Sequence, residues 1–192
     1  VRIRNVTKTS FKINLQEWRY LDGSHQTEQI TYMVLRQGTT YTLPGPDNIK
    51  IRAGSSTIAK DEIYMTSCGE GSDKEGYKEQ MFGFGVSLTN PIVLTSLTSY
   101  ENGHSKPLTT RIWDVDSNKF KIAMQLEENK KNVSLTKNET FSWIAIEQGV
   151  SEDTIHLPKW SMEVGNAIDS NQTFYDTDEE ILSTISFDFN ST

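Results

Sequence analysis

Residues 120–127, Phe-Lys-Ile-Ala-Met-Gln-Leu-Glu, alternate large apolar side chains with small or polar ones. Because successive side chains of a strand point to opposite faces, this period of two predicts a half-buried β-strand. Residues 11–16, Phe-Lys-Ile-Asn-Leu-Gln, show the same alternation. Short runs of this kind, separated by turn residues, predict an all-β protein built from antiparallel β-sandwich modules.

The two alternating stretches belong to a longer internal repeat of the sequence. Arg2-Ile3, followed by Phe11-Lys12-Ile13, returns as Arg111-Ile112, followed by Phe120-Lys121-Ile122. Further pairs keep a similar spacing: Glu28 and Glu139, Gln37-Gly38 and Gln148-Gly149, Leu43-Pro44 and Leu157-Pro158, Gly54 and Gly165. A fixed long period of this kind indicates tandem copies of one folding unit.

The internal repeat also predicts how the chain is divided into modules. Residues 1–77 correspond to a partial module followed by a linker, and the glycines between 69 and 76 mark that linker. Residues 78–149 contain a complete module. Residues 150–192 correspond to the segment that leads into a further module. The chain therefore carries incomplete modules at both ends, and we expect the C-terminal β segment to complete a module of a neighbouring subunit.

Composition excludes several classes of function. The chain has 192 residues and a formal net charge of -7, which argues against a nucleic-acid partner because phosphate binding needs a basic face. No apolar run approaches the roughly 20 residues of a membrane-spanning helix, so we expect no membrane insertion. Cys68 is the only cysteine, which excludes an intrachain disulfide and leaves its own role open.

The chain contains acceptor sequences for N-linked glycans, the Asn-x-Ser/Thr pattern without an intervening proline. They begin at Asn5, Asn132, Asn138, Asn171 and Asn190. Because the chain is rich in Ser, Thr and Asn, composition alone produces some of these matches, and unused acceptors are the alternative. Together they predict an extracellular or cell-surface glycoprotein with covalently attached glycans.

A second group of polar and aromatic residues follows the first alternating stretch. Trp18 and Tyr20 continue the outward parity of that strand, and Asp22 and His25 follow shortly after. Exposed aromatic rings beside hydrogen-bonding groups are typical of carbohydrate-binding sites. The alternative is a contact between modules, where Trp and Tyr are also favoured.

Sequence signals for catalysis are missing. The chain contains no Gly-x-Ser-x-Gly, no phosphate-binding glycine loop and no His-Glu-x-x-His pattern. An Asp-Gly hairpin turn explains Asp22-Gly23 without a metal ligand. We therefore expect a non-enzymatic protein with no cofactor and no metal.

Part of the chain resembles the H-type lectin superfamily. The resemblance lies in the strand Pro91-Ile92-Val93-Leu94, in the pair Arg111…Val115 and Phe120-Lys121-Ile122, and in Trp143-Ile144-Ala145-Ile146. The N-terminal copy is similar to repeats of large bacterial surface and secreted proteins. The resemblance implies a small six-stranded antiparallel sandwich and a capacity for sugar binding near subunit interfaces.

These features lead to one hypothesis for function and to alternatives. Unpaired strand edges are templates for pairing with another chain, and a head-to-tail exchange that does not close produces a filament. We therefore expect a structural protein that self-associates into a homopolymeric surface filament. The alternatives are a piece of a longer tandem array, and a carbohydrate-binding lectin or adhesin that uses Trp18, Tyr20, Asp22 and His25.

Overall fold

The computed structural model describes residues 1–14, 28–60, 80–102, 107–126, 135–149, 163–169 and 183–186. Every strand pairing among them is antiparallel, which confirms the predicted all-β fold class. The strands are β1 (Arg2–Arg4), β2 (Ser10–Asn14), β3 (Glu28–Val34), β4 (Thr40–Thr42), β5 (Lys50–Ile58), β6 (Gln80–Gly83), β7 (Ile92–Leu97), β8 (Leu108–Trp113), β9 (Lys119–Leu126), β10 (Glu139–Ile146), β11 (Glu163–Asp169) and β12 (Ser183–Ser186).

The larger unit is a sandwich of two sheets. One sheet has the strand order β4-β5-β10-β7, and the other has the order β6-β9-β8. Their apolar faces share one core, in which Phe120, Ile122 and Met124 of β9 and Phe141 of β10 are fully buried. The alternation of β9 in the sequence therefore predicts the core-facing residues of this strand.

A close approach of backbone and aromatic ring fixes the packing of β10 on β5. Gly54 lies opposite Trp143 in the register of these strands. A Cβ atom built on Gly54 would lie 2.3 Å from Cζ2 of Trp143, a distance that real contacts do not reach. Only glycine leaves room for the ring, which packs against Phe120 with the ring centroids 5.8 Å apart.

The smaller unit combines strands from the two ends of the described chain. One sheet has the order β1-β2-β12, and the other pairs β11 with β3. Phe11 and Ile13 of β2 are buried, and Ile30, Tyr32 and Val34 of β3 pack against them. Phe11 and Tyr32 meet edge to face with their ring centroids 5.3 Å apart.

The strand registers of the two units correspond. Arg2 of β1 pairs with Asn14 of β2, and Arg111 of β8 pairs with Ala123 of β9. The two residues of the first pair are separated from their counterparts in the second by the same spacing, which is that of the internal repeat. Likewise Gly165 lies opposite Tyr32 as Gly54 lies opposite Trp143. The correspondence supports the interpretation as tandem copies, which remains a prediction.

The C-terminal strands pair with N-terminal strands within the single chain that the structure describes, and the completion of a neighbouring subunit's module stays a prediction. In this chain β11 pairs with β3, and β12 pairs with β2. The reason is complementarity, because the N-terminal and C-terminal segments supply different strands of one unit. Within the described ranges, neither β3 nor β11 pairs with a counterpart of β7.

The division of the chain into segments 1–77, 78–149 and 150–192 stays a prediction. The structure adds that β4 and β5, which precede residue 78, share a sheet with β10 and β7. The glycine-rich linker and Cys68 lie outside the described residues.

One side chain on the outward face of β2 is more buried than the alternation indicates. The alternation of residues 11–16 places Asn14 on the outward face of β2, yet Asn14 is only 4% exposed. Its cross-strand neighbour Arg2 is similarly buried, at 2%. Strand alternation indicates only that two faces differ, and here the outward face is also covered.

Candidate functional site

The most unusual charged contact of the described residues joins the two units. Arg2 of β1 reaches Glu139 at the start of β10, with Nη2 3.5 Å from Oε2. The side chains of Arg2 and Glu139 are only 3% and 0% exposed. Charged groups are rarely buried to this extent unless they are paired and hydrogen-bonded, so the contact fixes how the units meet.

Donors from the segment after β7 surround the Glu139 carboxylate. The backbone N–H and the side-chain Nδ2 of Asn102 donate to Oε1 at 3.0 and 2.8 Å. The hydroxyl of Ser99 donates to Oε2. This set, Ser99, Tyr100, Asn102 and Glu139, is called the Glu139 pocket below.

Asn102 also ties the pocket to the chain that precedes β10. Its Oδ1 accepts from the backbone N–H of Thr136 at 2.9 Å and of Lys137 at 3.2 Å. Its Nδ2 donates to the carbonyl of Lys137 at 2.8 Å. One buried amide therefore satisfies both loops that frame the carboxylate, which pre-organises the pocket for a cation.

The aromatic ring of Tyr100 completes the binding of the arginines. The guanidinium carbon of Arg2 lies 5.0 Å from the ring centroid, and that of Arg4 lies 4.9 Å from it. Arg2 Nη2 also donates to the carbonyl of Ser99 at 2.9 Å. The pocket thus recognises arginine through a carboxylate, a carbonyl and a ring face, each of which suits a planar guanidinium.

A second buried carboxylate, Glu147, joins β5, β10 and the segment before β7. Its Oε1 accepts from the N–H of Thr89, and its Oε2 accepts from the N–H of Lys50, both at 2.8 Å. The Lys50 ammonium lies 3.7 Å from Oε1. Burial raises the pKa of Glu147, but the two N–H donors and the Lys50 charge outweigh it, so the pKa lies below its ordinary value of 4.5.

We expect Glu147→Gln to lower stability in a way that depends on pH. The unfolded chain takes up the proton before the folded chain does, so the contribution of the Glu147 charge is full above pH 4.5 and is lost as the pH falls below it. At pH 7 the variant should lose about 1.5–3 kcal/mol of unfolding free energy. Urea denaturation at pH 7 and pH 3 measures this, and the gap to wild type should shrink at pH 3. Glu101→Gln is the control for removal of one exposed negative charge, and an equal gap at both pH values would contradict the assignment.

Two of the predicted glycan acceptors fall in the described part of the chain. Asn5 is exposed, follows β1 and has a φ of 51°, and Thr7 of its acceptor sequence caps a tight turn by accepting the N–H of Ser10 at 3.0 Å. Asn138 is exposed just before β10, and its Oδ1 accepts the N–H of Lys60 at 3.0 Å. Both side chains are accessible, and their glycosylation stays a prediction.

The remaining predicted site residues lie outside the described residues. They are Asn132, Asn171 and Asn190 of the glycan acceptors, and Trp18, Tyr20, Asp22 and His25 of the carbohydrate site. Carbohydrate binding by this group stays a prediction. Within the described ranges, no three His, Cys, Asp or Glu side chains are grouped to hold a metal ion. In the same ranges no helix has the length and apolar character needed to cross a bilayer.

The sequence analysis missed the Glu139 pocket. The sequence analysis includes Glu139 only as the counterpart of Glu28 in the internal repeat and as the middle residue of the Asn138 acceptor sequence. A signal was present, because Glu139 opens a strand whose next core positions are Phe141, Trp143 and Ala145, and so has the parity of a buried residue. Its partner Arg2 lies at the other end of the described sequence, on β1, and no local pattern connects the two.

The fold and the pocket define an antiparallel β-sandwich protein with two apolar cores bridged by a buried arginine–carboxylate contact. No known family matches the chain, and no solved structure matches it. The chain is similar to halomucin of Haloquadratum walsbyi, with 31% identity over 152 residues, which is 78% of this chain and 1% of halomucin. The chain thus spans a very small part of that relative. The similarity is compatible with an extracellular structural or surface protein.

Proposed function

We propose that the chain is a non-enzymatic structural protein of the cell surface, glycosylated, which assembles head-to-tail into a filament. The observation that carries the proposal is the composition of the smaller unit. Its strands β1, β2 and β3 come from one end of the described chain, and β11 and β12 come from the other. A unit assembled from two distant segments can also be assembled from two molecules, which is the physical basis of domain swapping.

Two outcomes compete for the same strand pairings. Within one chain, β11 and β12 pair with β3 and β2, which closes the molecule on itself. Between chains, the same registers would join the C-terminal strands of one copy to the N-terminal strands of the next. Pairing within one chain is favoured because its two ends have a high effective concentration for each other, whereas pairing between chains becomes more favourable as the protein concentration rises. Because such an exchange is head-to-tail, it produces an open polymer when it does not close into a ring.

Three features support the surface location and the absence of catalysis. The accessible acceptors Asn5 and Asn138 suit a protein that carries glycans. The similarity to a protein named halomucin points in the same direction. The buried carboxylates Glu139 and Glu147 are both held by several donors, so each is engaged in structure rather than facing a substrate.

Strand exchange can be tested with a cross-link between β2 and β12. Lys12 and Thr184 are directly opposite in the register of these strands, so Lys12→Cys with Thr184→Cys, in a Cys68→Ser background, places two thiols within reach of each other. We expect electron microscopy of the reduced protein to show monomers when dilute and filaments when concentrated. Oxidation after assembly should then give a ladder of covalent multimers on a non-reducing denaturing gel.

The same variant provides its own control. Oxidation of the dilute monomer should lock β12 onto its own β2, and the locked chain should form no filaments at any concentration. Adding reductant should restore assembly. A chain that stays monomeric at high concentration while reduced, or filaments that give only monomeric bands after oxidation, would contradict strand exchange.

A further inference from the structure

Strand β7 forms an edge of the four-stranded sheet, and one side of its backbone has no partner among the described strands. The N–H of Thr98, just after β7, donates to the carbonyl of Thr140 at 2.9 Å, so the even-numbered residues of β7 bond to β10. Because the backbone groups of a strand alternate between its two sides, Val93, Thr95 and Leu97 direct theirs away from β10. Unpaired backbone of this kind is a template for another strand.

The usual protections of an edge strand are missing from most of β7. Edge strands are commonly blunted by charged side chains, by proline or by shortness. Residues 92–97, Ile-Val-Leu-Thr-Ser-Leu, include no charge, and β7 is the longest of the described edge strands of which this is true. Pro91 removes one donor before the strand, and β1 lies close to the C-terminal end, where Arg2 binds the carbonyl of Ser99. The open part of the edge is therefore the first half of β7, around Val93.

The outer face of β7 is apolar and exposed. Ile92 and Leu94 are 51% and 53% exposed, although both side chains are large and apolar. They lie opposite Ile146 and Ile144 of β10, which are half-buried, and these four residues are called the β7 patch below. A contiguous apolar patch beside an open edge is typical of an interaction surface. The other large apolar side chains exposed in the described ranges lie on separate segments: Val1, Val6, Met33, Met81 and Val115.

We propose that β7 pairs in antiparallel fashion with β7 of a second copy of this chain, which joins two four-stranded sheets into one across a two-fold axis. The register that keeps clear of β1 places Val93 opposite the same residue of the other copy, and these two exchange backbone hydrogen bonds. Ile92 of each copy then lies opposite Leu94 of the other. Such positions flank a hydrogen-bonded pair and bring their side chains closest together, so the exposed apolar groups cover each other.

Charge and pattern identify the occupant as another copy of this chain. A strand that pairs here must carry apolar side chains at alternate positions and no charge, since a charged group would be buried against the β7 patch. The β7 strand itself meets both conditions. The contact also continues the existing sheet, because Ile144, Leu94, and then Ile92 and Ile146 of the other copy form one apolar row over four strands. Each copy has a formal net charge of -7, so copies repel each other overall, and an uncharged strand adds nothing to that repulsion.

This contact is independent of the proposed strand exchange. Both copies use the same patch, so the contact is isologous and ends in a pair. It involves β7 and β10, whereas the exchange involves β2, β3, β11 and β12. In a filament, the contact would join two filaments side by side. Without filaments it would still give a dimer, so either proposal can fail alone.

The locked chain, Lys12→Cys with Thr184→Cys after oxidation, separates the two kinds of association. Strand exchange is blocked in it, so sedimentation velocity should show a monomer–dimer equilibrium and no larger species. Leu94→Lys should weaken the dimer by about tenfold or more, because each charge would enter the apolar row of the other copy. Raising the salt concentration should strengthen the dimer, since salt screens the repulsion between two acidic copies. A locked chain that stays monomeric at high protein concentration, in low and in high salt, would overturn the proposal.

Matched variants test whether β7 itself forms the contact. Met81→Lys places the same charge at an apolar side chain of β6 that is 55% exposed, and it should leave the dimer unchanged. If Leu94→Lys alters the near-ultraviolet circular dichroism of the chain, Ile92→Lys takes its place. The amide hydrogen of Val93 should exchange more slowly in the dimer, because it is bonded across the two-fold axis. A dimer that persists in the folded β7 variant, or that leaves the exchange at Val93 unchanged, would also overturn the proposal.

Discussion

Glu139→Ala is expected to lower the free energy of unfolding by about 3–5 kcal/mol, because it leaves the guanidinium of Arg2 buried without its counter-charge. The side chain of Arg2 is only 3% exposed, so bulk solvent screens its charge poorly once the carboxylate is removed. Asn102 loses the acceptor for its backbone N–H as well as one bond of its side chain. Urea denaturation at neutral pH measures the loss.

A neighbouring carboxylate provides the control for this prediction. Glu101 forms an ion pair with Lys137 at 3.2 Å, in which both side chains are more than half exposed. Solvent screens such a pair, so Glu101→Ala should change the unfolding free energy by less than about 1 kcal/mol. Equal losses of unfolding free energy for Glu139→Ala and Glu101→Ala would contradict the prediction that the buried contact contributes more to stability than the exposed one. Glu139→Ala should also increase the exchange of amide hydrogens in the segment from Ser99 to Asn102, which the carboxylate orders.

The second large effect is expected at Gly54. Gly54→Ala would place a methyl carbon 2.3 Å from Cζ2 of Trp143, and the contact lies between a strand backbone and a rigid ring. Neither can move without disturbing the core, since Trp143 packs against Phe84 and Phe120. We expect a loss of about 3 kcal/mol from this overpacking, measured as the shift of the urea midpoint at constant slope.

A second strand glycine is the control for Gly54. A Cβ at Gly83 on β6 would meet its nearest atom, the carbonyl oxygen of Asn118, at 3.6 Å, which is ordinary contact. Gly83→Ala should therefore be nearly neutral. Truncation of the ring should relieve the clash, so Gly54→Ala combined with Trp143→Leu should be less destabilised than the sum of the single variants. If the losses of unfolding free energy caused by Gly54→Ala and Trp143→Leu simply add, the clash with the Trp143 ring is not the cause of the destabilisation, which would contradict the prediction.

Much of the fold follows from local patterns in the sequence. The alternation in residues 120–127 marks the face of β9 that joins the core, although Ala123 and Gln125 on its other face are buried too. Phe141 and Trp143 mark the buried face of β10. The pairing of Arg111-Ile112 with the strand that follows also agrees with the repeated spacing of this segment in residues 2–16. These features are local because strand alternation depends only on neighbouring residues.

The partners of the terminal strands do not follow from the sequence. In the structure β12 pairs with β2 as β6 pairs with β9. An equivalent place in the sheet does not specify which molecule supplies the strand. Likewise the pattern places Asn14 on the outward face of β2, but it carries no information about a second unit lying against that face. The Glu139 pocket depends on that contact between units, so it is inaccessible to reasoning from one strand at a time.

The antiparallel order β1-β2-β12 has a mechanical consequence. Strands β1 and β12 run in the same direction on either side of β2, so Arg2 at the beginning of β1 and Ser186 at the end of β12 lie beside opposite ends of β2. Tension applied between these residues acts along the strands, and the ladders on both sides of β2 resist it together in shear. A surface protein built in this way would bear a pulling load through many bonds at once instead of peeling open one bond after another.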